Sequence, residues 1–119
     1  MLRTKSIQAG INKQDGIRIC IMRKSDSWAK FDIWMPTLAP SNKLLDGYHE
    51  NKIDWDLFEV RFKKEVIGKQ AKFLNLLVHL ALKWDITILC WEKTPEHCHR
   101  RLVAEACKKI NSVLKVMLK

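Results

Sequence analysis

The chain has 119 residues and carries 22 Lys and Arg against 13 Asp and Glu, a formal charge of +9, so its length suits one domain, spanning 1–119, with a real core rather than two domains. No window approaches the ~18 apolar residues of a membrane span, and no apolar run follows the basic Arg3 and Lys5, so neither a spanning helix nor a secretory leader is expected and the chain reads as cytoplasmic. The four cysteines, at 20, 90, 98 and 107, form no C-x-x-C pair, which makes reduced thiols the default.

In chain order, Ser6 to Ile11 reads as a short edge strand ending near Gly10. Gly16 introduces Ile17 to Met22, whose alternation predicts a central strand. Residues 23–40 carry polar residues, tryptophans and prolines without steady periodicity, as a long loop of the functional type does. Trp28 and Trp34 in it are candidates for stacking on a base or sugar ring, although tryptophans more commonly cover a core edge. Ser41 caps a helical turn through Leu44 and Leu45 that stops at Gly47. Asp54 caps a helix in which Trp55, Phe58, Phe62 and Val66 recur at spacings of three and four, closed by Gly68. Residues 69–83 form a second helix with Phe73, Leu76, Leu77, Leu80 and Ala81 inward, and His79 at the core boundary.

The chain then reaches its most informative stretch. Ile86 to Trp91, apolar and β-branched between Asp85 and Glu92, predicts a strand covered on both faces. Thr94 is a natural N-cap, Pro95 suits the first helical position and Glu96 the first turn, so a helix is expected from there to Ile110. Its apolar stripe of Leu102, Val103, Ala106, Cys107 and Ile110 projects back onto His99, with Cys98 and Arg100 on its flanks and His97 and Arg101 toward solvent. An imidazole where an aliphatic side chain is due reads either as a buried histidine bonded to a backbone carbonyl or as part of a polar pocket at the sheet's end. After a turn at Asn111-Ser112, residues 113–118 read as a last strand, with a helical extension as the alternative.

Chemistry at that helix start favours an anion. Unpaired N–H groups and the helix dipole attract phosphate or carboxylate, with Thr94 in the turn and Arg100 as a clamp. The same field would lower the Cys98 thiol and make it a candidate nucleophile, an unreactive buried thiol being the alternative. Strands alternating with helices imply a small α/β domain with a mainly parallel sheet of three to five strands flanked by helices, in which ligands bind outside the carboxyl ends of the strands. That rule brings Arg23, after the first predicted strand, toward Glu92, Cys98, His99 and Arg100, provided the two strands are neighbours.

The stretch Cys90-Trp91-Glu92-Lys93-Thr94-Pro95-Glu96-His97-Cys98-His99-Arg100-Arg101-Leu102-Val103-Ala104-Glu105, with Trp34, Leu38-Ala39-Pro40-Ser41, Leu45, His49 and Trp55 to Phe58 upstream, resembles the YeaO-like proteins, built on the domain of unknown function 488 (DUF488). Together the matches cover most of residues 16–110. In place of the family's D-R-L-W-P-R-G run this chain has Met22-Arg23-Lys24-Ser25-Asp26-Ser27-Trp28, so that only Arg23 carries over there. The resemblance implies a compact α/β fold and brings no established activity.

Three functions fit these residues. The first is an enzyme acting on a phosphorylated nucleotide or nucleic-acid substrate, with phosphate held by Arg100, Arg23 and the helix start, His99 or Glu92 moving a proton and Cys98 as nucleophile. The C-x-x-x-x-x-R loop of cysteine phosphatases is absent, which disfavours that chemistry. The second is a nucleic-acid-binding module without catalysis, permitted by the +9 charge and five tryptophans. The bases, however, are spread in pairs such as Lys63-Lys64, as on any solvated basic surface. The third is a metal site from Cys90, Cys98, His97 or His99; it ranks last because C-x7-C-x-H lacks the two close ligand pairs of structural zinc folds, and no metal or cofactor is expected.

Overall fold

A computed structural model describes residues 1–25 and 29–119; Trp28, a candidate stacking residue, lies outside them. Five parallel strands, β1 (Leu2–Ser6), β2 (Ile17–Cys20), β3 (Ile33–Trp34), β4 (Ile86–Cys90) and β5 (Val116–Met117), lie in the order β3-β2-β4-β1-β5. Among the described residues four α-helices join them: α1 (Asn42–His49), α2 (Trp55–Phe62), α3 (Ala71–Lys83) and α4 (His99–Ile110). The fold is α/β, as the alternation of strand and helix patterns implied.

Topology decides where the helices go. The connections β3 to β4 and β4 to β5 both step over one strand in the same direction, so the right-handed crossover rule puts them on one face. All four helices are in those connections. Leu2, Ile19, Ile21, Ile86 and Ile88 point to that face and share one core with Leu44, Phe58, Phe62, Leu77 and Leu102. The step from β1 to β2 runs the other way and covers the opposite face with residues 7–16, joined by Met22, Ala29 and Phe31, which pack on the cluster of Ile7, Cys20 and Leu89.

β1 lies earlier than expected and is an interior strand between β4 and β5, whereas Ile7–Ala9 form a short 3-10 turn. The charges at Arg3 and Lys5, which make the segment look unsuited to a sheet centre, are neutralised on the loop-covered face: Arg3 pairs with Asp85 at 3.0 Å and Lys5 with Asp15 at 3.1 Å. Asp15 also pairs with the buried Arg18 and accepts from the Asn12 N–H. The turn that delivers Asp15 needs Gly16, since φ is +64° there and a Cβ would meet the Asp85 carbonyl oxygen at 2.0 Å.

Local signals hold at several caps. Ser41 accepts from the Leu44 N–H and Asp54 from the Leu57 N–H. α1 runs through Gly47 to His49 rather than stopping at the glycine, and α2 continues as a π-turn over Lys63–Ile67 before Gly68. In α3 the buried stripe is Leu74, Leu77, Val78 and Ala81, so Leu76 is exposed rather than inward and His79 faces solvent. The last strand is only two residues long. Among the described residues no helix is long and apolar enough to cross a membrane.

Candidate functional site

β2 and β4 are neighbours, so their carboxyl ends lie side by side with α1, α2 and the start of α4 gathered above them on the helical face. A cavity of about 320 Å³ opens there. Arg23, Glu92, Cys98 and His99, four of the residues expected at a site, line it.

The floor is Cys90, the last residue of β4, with Cys98 and His99. His99 opens α4 and is 6% exposed. Its Nε2 lies 2.7 Å from the Ile21 carbonyl oxygen, which can only accept, so Nε2 carries the proton. Nδ1 then faces Cys90 Sγ at 3.4 Å. The imidazole is thus both bonded to a carbonyl and part of a polar floor, which joins the two readings of its position.

α4 starts at His99, four residues beyond the expected Pro95, and its N-cap is Cys98 rather than Thr94, which is exposed and lies outside the cavity lining. A turn closed by Cys98 N–H to the Pro95 oxygen at 3.2 Å comes first, and Cys98 is extended, with φ −136° and ψ 140°. That conformation tucks the Cys98 side chain under the sheet edge, to 3% exposure, and lays His97 on Trp55 with ring centroids 5.1 Å apart and planes at 17°. Burial of a thiol and an aromatic stack outweigh the propensity of Thr94-Pro95-Glu96 to begin a helix.

This placement corrects the expected Cys98 thiolate. Burial pushes its thiol well above the free-cysteine range, the Cys90 thiol adds to that, and hydrogen bonding to His99 opposes it without prevailing. In the reduced folded protein Cys98 should therefore alkylate far more slowly than a free thiol, as should Cys107, whose thiol burial pushes up to about 12. Peptide mapping after a timed alkylation checks this. Labelling of Cys98 at native pH before Cys107 reacts would contradict it.

Arg100 is corrected too. It is fully buried, and its Nε and Nη2 donate to the Lys119 oxygen at 3.2 and 2.9 Å while Nη1 donates to the Glu92 oxygen at 2.8 Å. All three bonds go to main-chain oxygens, so the guanidinium ties the chain after β5 to the end of β4 and does not clamp an anion in the cavity. Arg23 occupies the cavity instead, with Nε on the Pro40 oxygen at 3.0 Å and Nη2 on the Ala39 oxygen at 3.1 Å.

The wall is aromatic and was not legible as a site. Trp55 and Phe58, read as core positions of α2, are joined by Tyr48 and His49 of α1, and Arg101 holds Trp55 from behind with its guanidinium carbon 5.9 Å from the ring. Arg101 also bonds to Glu59 and Glu105 at 3.0 Å, bridging α4 to α2 rather than facing solvent. At the rim stand Lys24, Asp46, Glu92 and His97. Among the described residues the side chains of Asp46, Glu92 and His97 make no hydrogen bond or ion pair. Tyr48 lies close enough to Glu92 that its phenol is raised first by burial and then by that negative charge.

A family model described as DUF488-N3a, the active DUF488-N3 subclade, matches residues 2–111. No curated protein and no solved structure matches the chain significantly. With a match over nearly its whole length, and with Arg23, the Leu38-to-Ser41 segment and the Glu96-to-Arg100 turn brought together at the carboxyl end of one sheet, the chain belongs to the DUF488 family.

Proposed function

We propose that the cavity binds and transforms a phosphorylated nucleotide-type substrate. The observation that carries this reading is the composition of its lining: a guanidinium and an ammonium, Arg23 and Lys24, open onto the same space as an aromatic wall and as Glu92 and His97, whose side-chain polar atoms make no hydrogen bond or ion pair among the described residues. Arg23 is pinned through two of its donors and presents the rest of its charge without much entropy left to lose. The start of α4 adds N–H groups and the positive end of a dipole. Tyr48 and the Trp55–His97 stack offer flat faces to a base, and Asp46 provides an acceptor for sugar hydroxyls. Glu92 and His97 are the groups that move protons, because His99 already has both ring nitrogens engaged and Cys98 holds its proton. The family model's description as an active subclade agrees with chemistry rather than binding alone.

The test is a calorimetric titration with a nucleoside monophosphate, compared with inorganic phosphate. The nucleotide should bind more tightly than phosphate, because it alone uses the aromatic wall, and Arg23→Ala should weaken both by about tenfold or more, the worth of one charge-assisted hydrogen bond. Lys24→Ala, at an exposed position, serves to separate loss of charge from loss of fold. Equal affinity for nucleotide and phosphate, or no response to Arg23→Ala, would overturn the reading. Salt-sensitive binding of generic RNA that ignores Arg23→Ala would point to the non-catalytic nucleic-acid module instead.

A further inference from the structure

The geometry points to a binding site for one thiophilic divalent ion of the zinc class on the cavity floor, held by Cys90 Sγ, Cys98 Sγ and His99 Nδ1, with its fourth position open to the cavity. The three donor atoms lie within 4.8 Å of one another, and the Cys90 Sγ to His99 Nδ1 distance is 3.4 Å. Tetrahedral zinc, with bonds of ~2.3 Å to sulfur and ~2.1 Å to nitrogen, sets sulfur and nitrogen ligands about 3.6 Å apart and two sulfurs about 3.8 Å apart. One edge of the tetrahedron is therefore already formed, and the others need to close by no more than about 1 Å.

The surroundings are those of a metal ligand set. His99 Nε2–H donates to the Ile21 carbonyl, which fixes the tautomer that leaves Nδ1 unprotonated and turned toward the sulfurs. Cys90 terminates a central strand, Cys98 is the N-cap of a twelve-residue helix and His99 begins it, so the donors sit on or against rigid elements. They are only 3–6% exposed. A doubly charged cation with two thiolates leaves no net charge at this buried place, whereas a single thiolate there would be uncompensated. Two sulfurs and an imidazole, with no carboxylate among them, suit zinc and exclude magnesium or calcium. Because Cys90, Cys98 and His99 all line the cavity, the open position faces whatever the cavity binds. The inference rests on the donor atoms alone and is independent of phosphate binding.

The experiment titrates Co2+ into the reduced, chelator-treated full chain, without phosphate or nucleotide, and then displaces it with Zn2+. Expected is one cobalt per chain, absorption from thiolate-to-cobalt charge transfer together with the intense visible bands of tetrahedral cobalt, loss of both on adding zinc, and a higher melting temperature in zinc. Cys90→Ser and Cys98→Ser should each remove or strongly diminish the charge-transfer band, whereas Cys107→Ser, buried against α3, should keep it. Circular dichroism checks that each variant is folded, and the unsubstituted protein decides the matter should any fail. No thiolate band in the reduced protein, less than one cobalt per chain at saturation, or a band that survives Cys98→Ser would overturn the proposal. Oxidation of Cys90 and Cys98 to a disulfide in a protein without cobalt affinity would equally overturn it, by making the pair a redox couple.

Discussion

Asp15→Asn should destabilise the protein by about 3–5 kcal/mol, the cost of removing one partner from a buried ion pair, and by urea denaturation this is a large part of the 5–15 kcal/mol typical of a domain. Asp15 and Arg18 side chains are each 6% exposed, and Lys5, 16% exposed, donates to both carboxylate oxygens at 3.1 Å. Asparagine keeps the size but leaves two cations facing a neutral amide under the thin cover of residues 7–16. The effect must depend on pH. Burial pushes the Asp15 carboxyl up, yet the Asn12 N–H, Lys5 and Arg18 together outweigh it and hold its pKa below the usual value. A depressed folded-state pKa means stability that is fully present above the unfolded value of 3.8 and lost as pH falls through the lower folded value. The parent protein should lose this contribution in that acid window and Asp15→Asn should have none to lose. Replacing Asp15 and Arg18 together by Leu and Met should cost less than the sum of the single changes. A change under about 1 kcal/mol for Asp15→Asn, the scale of a surface pair, would show that the cluster is solvated.

Arg100→Ala is expected to cost about 3 kcal/mol or more, since three charge-assisted bonds to main-chain oxygens are lost and a fully buried side chain leaves a void. Arg100→Lys should recover only part, because one ammonium cannot reach the Lys119 and Glu92 oxygens in the fork geometry of a guanidinium. The residue was expected to bind an anion, and the two roles separate cleanly. With a structural Arg100, Arg100→Ala lowers the melting temperature while leaving phosphate affinity of the folded protein nearly unaltered; with an anion clamp it would do the reverse.

The misplacement of Arg100 shows where sequence reasoning stops. Projecting α4 backwards through the first turn assumed a helix from Pro95, and with the true start at His99 the residues before it follow a turn rather than a 100° rotation. His97, exposed as expected, therefore stacks on Trp55 at the cavity rim rather than standing apart from the site, and Cys98 goes under it. The strands were legible where periodicity was local: Ile17 to Cys20 and Ile86 to Cys90 lie within the predicted spans, and the rule for parallel sheets put the cavity at their carboxyl ends. β1 was not, because its neutralising partners Asp15 and Asp85 are distant in sequence. The same limit hid the aromatic wall and the closeness of the two thiols. Trp55 looks like any core residue at helical spacing, and seven residues between Cys90 and Cys98 suggest separation until the strand-to-helix reversal folds one over the other.

The strand order also governs how the protein behaves toward copies of itself. The apolar run Ile86-Thr87-Ile88-Leu89-Cys90, the segment of the chain with most of the marks of a cross-β former, is the central strand, with a five-residue partner on one side and a four-residue partner on the other. At the sheet's borders stand β3 and β5, two residues each, and Lys115 adjoins the second. An incoming strand would find a docking rail too short to template more than a couple of backbone bonds, beside a charge it would have to bury. Colloidal safety is thus written into the order of the strands, with the stickiest segment paired on both sides and the open borders left blunt.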